Sequence, residues 1–351
     1  MDAVRIGLIG LGGIATRSHL PSLASLPEVV VQAGAEINQV QAERTQRRFG
    51  IPRIYSSYQE MIRKEMLDGV YVCLPNFLHY EATLAALAQG LHVYCEKPMG
   101  LSSEQALALV TEADRRGLVL MAGYNYHFDA RFRRARRLLE ERRIGKILQV
   151  QGTIAKPGPY IGWDPKSDWY FDQRSGGLLY DLGSHLLDLL LYLTDIDIDV
   201  GSIYATARTS LPGLPIPDNI VAIFKDYNKV VGSLNLAWGA RANLIMIQIH
   251  GTAGSIIVSE EYFEHRTAYG GGISRLATLF DNMRAILKQR WNAIIRRQPS
   301  DTTYLDASRN FIDAIRGKSS LRTDAQHSIR IHRVLEAIRD YLGQDSSTEE
   351  H

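Results

Sequence analysis

Lys97, Asp181 and His185 are side chains of the kinds needed to oxidise an alcohol. Such an oxidation removes a proton from oxygen while a hydride leaves carbon. Histidine titrates near neutral pH and can take the proton. A lysine ammonium beside the reacting oxygen stabilises the alkoxide charge that develops there. Asp181 precedes His185 by four residues, so at helical pitch the two share a face. From that position the carboxylate can hold a neighbouring hydroxyl or orient the imidazole and the ammonium. His185 is the preferred base, with sharing of the proton between His185 and Lys97 left open.

The elements that carry these residues follow from the pattern around them. Val4–Ile9 reads as a strand that runs straight into Gly10, Gly12, Gly13, Ile14 and Ala15, a G-x-G-x-x-A run. Its first glycine allows a tight turn and its second lets backbone approach a pyrophosphate. Ala15 lets the following helix pack closely, and that helix's N-terminus favours an anion. A second strand, Val29–Ala35, ends at Glu36, placed to accept hydrogen bonds from a ribose. Glu36 would repel a 2′-phosphate, and Ile37-Asn38-Gln39 offer no arginine to clamp one, so NAD is expected over NADP. Strands at 69–74, 91–95 and 118–123 alternate with helices near 56–66, 78–89 and 102–116, which implies a parallel sheet with helices on both faces. Two loops at strand ends stand out, Pro75-Asn76 with His79 and Glu96-Lys97-Pro98. Ligands bind at that edge of an open α/β sheet. His79 reads equally as a helix-start surface residue and as a cofactor contact. Lys97, between Glu and Pro straight after a buried strand, reads as held in place.

Past Tyr124 the alternation stops. Asn125, Tyr126 and His127 lead into a helix rich in arginine from Arg131 to Arg143, read as a solvated face. Strand-like segments follow at 147–155, 200–209, 219–225, 229–237, 243–250 and 255–258. They suggest a largely antiparallel sheet with one open face, whose natural cover is another subunit of a homodimer or homotetramer. The stretch from Ser175 to Asp188 lies within this region and reads as a mostly buried helix interrupted by Asp181 and His185. Asp188 reads as a structural partner of the helix or of His185. The segment 156–174 reads as a loop over the cleft, with Trp163, Trp169 and Tyr170 suited to stacking on a sugar. Two further helices are expected near 301–316 and 324–342. The domains expected are 1–124, 125–345 and a flexible tail at 346–351.

Composition narrows the remaining classes. With 351 residues, 45% hydrophobic and 22% charged, the chain is long enough for two domains and ample core. A formal net charge of +2 gives no general reason to expect nucleic acid. The only cysteines, Cys73 and Cys95, read as buried thiols of a reducing compartment. No signal sequence or membrane span is expected, and the cytoplasm is the expected location. Nothing in the sequence calls for a metal. The segment 275–297 is basic and amphipathic, with six Arg or Lys against Asp281 alone. It is expected to dock within an oligomer rather than on lipid.

Together Gly10–Ala15, Pro75-Asn76 with His79, Glu96-Lys97-Pro98, and Gly176-Gly177 through Asp181, His185 and Asp188 resemble the Gfo/Idh/MocA family. The resemblance covers nearly the whole chain and is specific in the joint order of its motifs. It implies an N-terminal Rossmann domain followed by an α+β domain with a large open-faced sheet. It also implies NAD- or NADP-linked chemistry on a hydroxyl or ketone of a sugar, inositol or nucleotide sugar. Catalytic roles fall by motif position on Lys97, Asp181 and His185. Substrate contacts are expected from these three with Asn125, His127 and Trp169, and cofactor contacts from Gly10–Ala15, Glu36, Pro75, Asn76, His79, Glu96 and Lys97. One departure stands where many members carry arginine: this chain has Tyr126-His127. Two other classes stay open, a hydrolase or lyase working by transient oxidation on bound NAD, and a non-enzymatic NAD sensor.

Overall fold

The computed structural model describes residues 3–158, 168–211, 213–240, 243–267, 283 and 302–346. The basic segment 275–297, Trp163 and the side chain of Tyr170 lie outside the described residues, apart from Met283. The chain divides into two units, Met1–Asn125 with Thr303–His332, and Tyr126–Thr302 with Arg333–His351.

The first unit is a parallel sheet of six strands in the order β3-β2-β1-β4-β5-β6. These strands are β1 Val4–Ile9, β2 Val29–Ala35, β3 Arg53–Tyr55, β4 Gly69–Val72, β5 His92–Cys95 and β6 Leu120–Ala122. The order reverses between β1 and β4, the switch point where open α/β sheets take ligands. Central strands covered on both faces need near-continuous apolar runs. Accordingly all of Gly69–Val72 is buried, and Ile6, Leu8 and Ile9 are fully so. Helices Tyr58–Lys64, His79–Ala88 and Ser103–Arg116 lie where the periodicity places them, and a further helix, Gln39–Phe49, lies between β2 and β3. Those starting at Gln39, Tyr58 and Ser103 begin on side-chain caps from Asn38, Ser57 and Ser102.

The helix Thr303–Ile315, read in sequence as part of the second domain, belongs to this first unit. The reason is aromatic packing. Tyr71 and Tyr94 stack at 4.6 Å, and Phe311 meets both edge-on at 5.5 and 5.8 Å. All three rings are fully buried.

The second unit is built on seven strands in the order β13-β12-β11-β7-β10-β9-β8. They are β7 Ile147–Lys156, β8 Ile198–Arg208, β9 Asn219–Asp226, β10 Val231–Trp238, β11 Leu244–Gly251, β12 Gly254–Ser259 and β13 Phe263–Thr267. Only the β7–β10 pair is parallel; the other neighbours run antiparallel. Side chains alternate between faces along each strand. One row of partners, Ala205, Ala222, Leu234, Gly152, Ile247, Val258 and Phe263, is buried throughout. The opposite face shows Tyr204, Val221, Ile223 and Val231 at 61, 42, 50 and 47% exposure, so it is open and partly apolar. The helix Ser184–Thr194 covers the buried face. It is apolar nearly all round, as a helix buried on most sides must be. Among the described residues no helix is long and apolar enough to cross a membrane.

Candidate active site

In the first unit the candidate residues fall on three loops that leave neighbouring strands at the same edge. Gly10 N–H donates to the Ala35 carbonyl, Cys73 N–H to Ile9, Glu96 N–H to Val72 and Gly123 N–H to Cys95. The loops after β1, β4 and β5 are thereby locked side by side. Gly10 stands at φ +88°, and a Cβ there would lie 2.6 Å from the Cys73 carbonyl oxygen, so only glycine fits the turn. Around a Cβ on Gly12 there is nothing within 4 Å. That open space over backbone amides suits the approach of a pyrophosphate, so the loop fits a dinucleotide.

Glu36 is tied directly to this loop. Its Oε2 accepts the Leu11 N–H at 2.9 Å and its Oε1 accepts the Asn38 N–H at 3.0 Å. Gln41 adds a bond from Nε2 to the Leu11 carbonyl at 2.8 Å. Arg17 lies at the same place. Its guanidinium nitrogens sit 2.7 and 2.8 Å from where a Gly13 Cβ would be, which puts a cation against the glycine loop. Sequence reasoning did not single out Arg17; its spacing, one turn past Gly13, was the available signal.

The loop Glu96–Gly100 is buried except at Lys97, which is half-exposed. His19 Nε2 lies 2.7 Å from Glu96 Oε1, and Glu96 Oε2 accepts the Lys97 N–H at 3.3 Å. His79 is buried, with Nδ1 2.7 Å from the Pro98 carbonyl and Nε2 2.7 Å from the Leu74 carbonyl. Burial pulls its pKa below the ordinary histidine value, while both carbonyls favour the charged ring. A neutral ring has a single N–H to donate, so His79 bonds one of these two carbonyls at a time. Asn76 is buried in the adjacent loop. Cys73 and Cys95 are buried free thiols, and burial pushes the Cys95 thiol up to about 12, which keeps it protonated.

In the second unit the polar helix is built in two parts. A π-helical turn, Leu179–Gly183, holds Asp181, and the α-helix Ser184–Thr194 holds His185 and Asp188. The sequence pattern suggests one regular helix here; the π turn inserts a wider loop of chain at Asp181, a feature frequent at functional sites. Gly176 and Gly177, at φ +74° and +55°, turn the chain into it. From Gly177 to Leu191 every residue is buried except His185, which is half-exposed. The helix reaches the sheet closely because β7 offers Gly152, where a Cβ would come within 2.6 Å of Leu186 Cδ1.

The structure gives Asp188 a partner in His127. Its Oδ1 lies 2.8 Å from His127 Nε2, and both groups are buried. His127 in turn stacks on Tyr192 at 3.9 Å. The Tyr126 ring meets the His185 ring at 5.2 Å, and its hydroxyl donates to Glu260 Oε1 at 3.1 Å. Tyr126 thus joins the His185 neighbourhood. Asn125 is buried and donates through Nδ2 to Thr303 Oγ1 at 2.9 Å. Trp169 lies half-buried in a short 3₁₀ turn, Asp168–Phe171.

Comparison with known proteins fits this architecture. Residues 4–124 match the model of the oxidoreductase family with NAD-binding Rossmann fold, GFO/IDH/MocA, and residues 132–257 match the GFO/IDH/MocA C-terminal domain. Levoglucosan dehydrogenase of Pseudarthrobacter phenanthrenivorans is 28% identical over 300 residues, 74% of this chain and 75% of its own length. Glucose-6-phosphate 3-dehydrogenase of Bacillus subtilis is 30% identical over 233 residues, 66% of this chain and 64% of its own. Among solved structures, the WlbA dehydrogenase from Bordetella pertussis, in complex with NADH and UDP-GlcNAcA, superposes with a TM-score of 0.81 at 21% identity, covering 98% of this chain and 96% of that one. The glycine loop, its Glu36 tie and the two matching domain models lead to one assignment: this chain belongs to the Gfo/Idh/MocA family of oxidoreductases with an NAD-binding Rossmann fold.

Proposed function

We propose that this enzyme moves a hydride between NAD and a hydroxyl or ketone carbon of a sugar, an inositol or a nucleotide sugar. One observation carries the reading. Lys97 and His185 are each the single half-exposed side chain in a run that is otherwise buried. Burying the neighbours of a polar group while leaving that group open keeps it fixed and accessible, as a reacting group must be. When bound, NAD supplies the nicotinamide ring that takes or gives the hydride. Lys97 stabilises charge on the substrate oxygen, His185 holds the proton, and Asp181 orients a neighbouring hydroxyl or the imidazole. Trp169 offers a stacking surface for a sugar ring, and Asn125 and His127 support the substrate side through the residues they hold.

Glu36 favours NAD over NADP, because its carboxylate stands beside the glycine loop where a 2′-phosphate would be repelled. The relatives named above are dehydrogenases of sugars or, for WlbA, bind a nucleotide sugar, which supports the substrate class. The open sheet face, with Tyr204, Val221, Ile223 and Val231 exposed, supports a homodimer or homotetramer formed through it. Buried free thiols agree with a cytoplasmic location. The test is NADH formation by purified protein offered NAD with polyols, sugars, sugar phosphates and nucleotide sugars. Net NADH from one of these classes is expected. Substrate consumption with no net NADH would replace the reading with a reaction that returns the hydride to its own product.

A further inference from the structure

Within the first unit, three buried histidines from three separate elements converge on the loop that carries Lys97. His19, in the π-helical turn Ala15–His19 after the glycine loop, faces Glu96 Oε1 at 2.7 Å. His79, first residue of the helix His79–Ala88, faces the Pro98 carbonyl at 2.7 Å. His332, in the helix Ala325–Ser346, faces the Gly100 carbonyl at 2.9 Å. None of the three is more than 1% exposed.

We infer that His19, His79 and His332 are positioning residues that fix the Glu96–Gly100 loop and thereby set where the Lys97 ammonium stands. The inference rests on the reading of Lys97 as the group that meets the substrate oxygen. Its physical basis is the set of buried polar groups on the loop, the Glu96 carboxylate and the Pro98 and Gly100 carbonyls. A loop past the end of a strand has left the ladder, so its buried polar groups need other partners, and each one left unmet costs about 1–3 kcal/mol. Here ring nitrogens stand at hydrogen-bond distance from those groups, one histidine at residue 96, one at 98 and one at 100, so the anchors bracket Lys97. His19 Nδ1 has no hydrogen-bond partner among the described residues, which places the ring proton on Nε2, donating to the Glu96 carboxylate. Edge and tilted contacts with Tyr71, Tyr94 and Tyr304 at 5.1, 5.1 and 5.5 Å hold the His19 ring in that orientation. His79 and His332 each stand with the other ring nitrogen 2.7 Å from a second carbonyl, of Leu74 and Ser328.

A merely structural role would lower stability and leave chemistry alone; a positioning role must act through Lys97. The test is a double-mutant cycle on kcat with His19→Ala and Lys97→Ala, alongside NAD affinity by fluorescence titration. His19→Ala is expected to lower kcat by about ten- to a hundredfold, the scale of a misplacement near 1 Å, with NAD affinity held within about threefold. In the Lys97→Ala background the same change should cost less than about twofold, because the two act as a unit. His19→Gln, whose amide nitrogen can replace Nε2 as a donor to Glu96, should recover most of kcat. Equal factors in both backgrounds, or a wild-type kcat in His19→Ala, would overturn the inference and leave Lys97 its role. Near-wild-type turnover in Lys97→Ala would instead remove the reading of Lys97, and the inference with it. If His19→Ala does not fold, the same cycle is run with His79→Asn, whose amide can still reach the Pro98 carbonyl, and with His79→Ala.

Discussion

The lysine of the first unit and the histidine of the second are held by opposite means. Lys97 stands on a loop fixed by polar bonds, from His19 to Glu96, His79 to Pro98 and His332 to Gly100. His185 stands on a helix fixed by leucines, with Leu186, Leu187, Leu189 and Leu190 all fully buried against a sheet. A buried polar pair, His127 with Asp188, sits a turn further on. The difference follows from the backbone. A helix satisfies its own amides and carbonyls, so apolar packing alone can hold it, whereas a loop must find partners for those groups. On the proposed roles, hydrophobic packing positions the helix that carries the base, and side-chain hydrogen bonds position the loop that carries the lysine.

The largest effect expected on the helical side is chemical. His185→Ala should lower kcat by about two to four decades, the usual scale for a lost acid–base group, while NAD binding stays normal. Turnover near wild type would remove His185 from the reaction. Next comes cofactor choice at the polar edge of the first unit. Glu36→Ser with Ile37→Arg should raise kcat/KM for NADP by about tenfold, as a like charge is replaced by an opposite one. The same variant should weaken NAD binding, because Glu36 also holds the Leu11 N–H. A wild type that already prefers NADP would show the assignment of Glu36 to be mistaken.

If packing alone places the His185 helix, a single carbon beneath it should be felt. Gly152→Ala puts a Cβ 2.6 Å from Leu186 Cδ1. It should cost about 1–3 kcal/mol in urea unfolding, the range for overpacked cores, and lower kcat by displacing the neighbour of Leu186. Unchanged stability and turnover would mean that the helix can slide, and that its position is set elsewhere. The smallest effect concerns the polar frame of the first unit away from the site. Arg5 donates to both oxygens of Asp68 and holds its carboxyl below the usual aspartate range. The folded group is the stronger acid, so its stabilisation is full above the unfolded pKa of about 3.9 and is lost as pH falls through the folded value. Asp68→Asn should therefore narrow the stability gap between neutral and acid pH, by less than about 1 kcal/mol for so exposed a pair. Thermal melts at both pH values read it out; an unchanged gap would show that the pair contributes nothing.

The same contrast decides how much the sequence could reveal. The glycine loop, Glu36 and the Glu96-Lys97-Pro98 turn are legible because each is a local run at a strand end. The leucine periodicity likewise announces the helix that carries His185. The anchors of the Lys97 loop are not legible. His19 and His332 sit in helices, and what gives them meaning is contact with residues 77 and 232 positions away. The His127 partner of Asp188 is hidden for the same reason, since it lies 61 residues back. Strands β3, Arg53–Tyr55, and β13, Phe263–Thr267, carry no apolar run of the kind that marks β4, β5 and β6. The helix Thr303–Ile315 shows its apolar face in sequence, yet only Phe311 seated on Tyr71 and Tyr94 reveals that it returns to the first unit.

The decisive measurement is kcat and NAD affinity side by side in Lys97→Ala, with whichever sugar or polyol gives net NADH in the wild type. A fall in kcat of about two to four decades is expected, with NAD bound within about threefold of wild type. Turnover within threefold of wild type, or loss of NAD binding in step with loss of activity, would remove Lys97 from its proposed role.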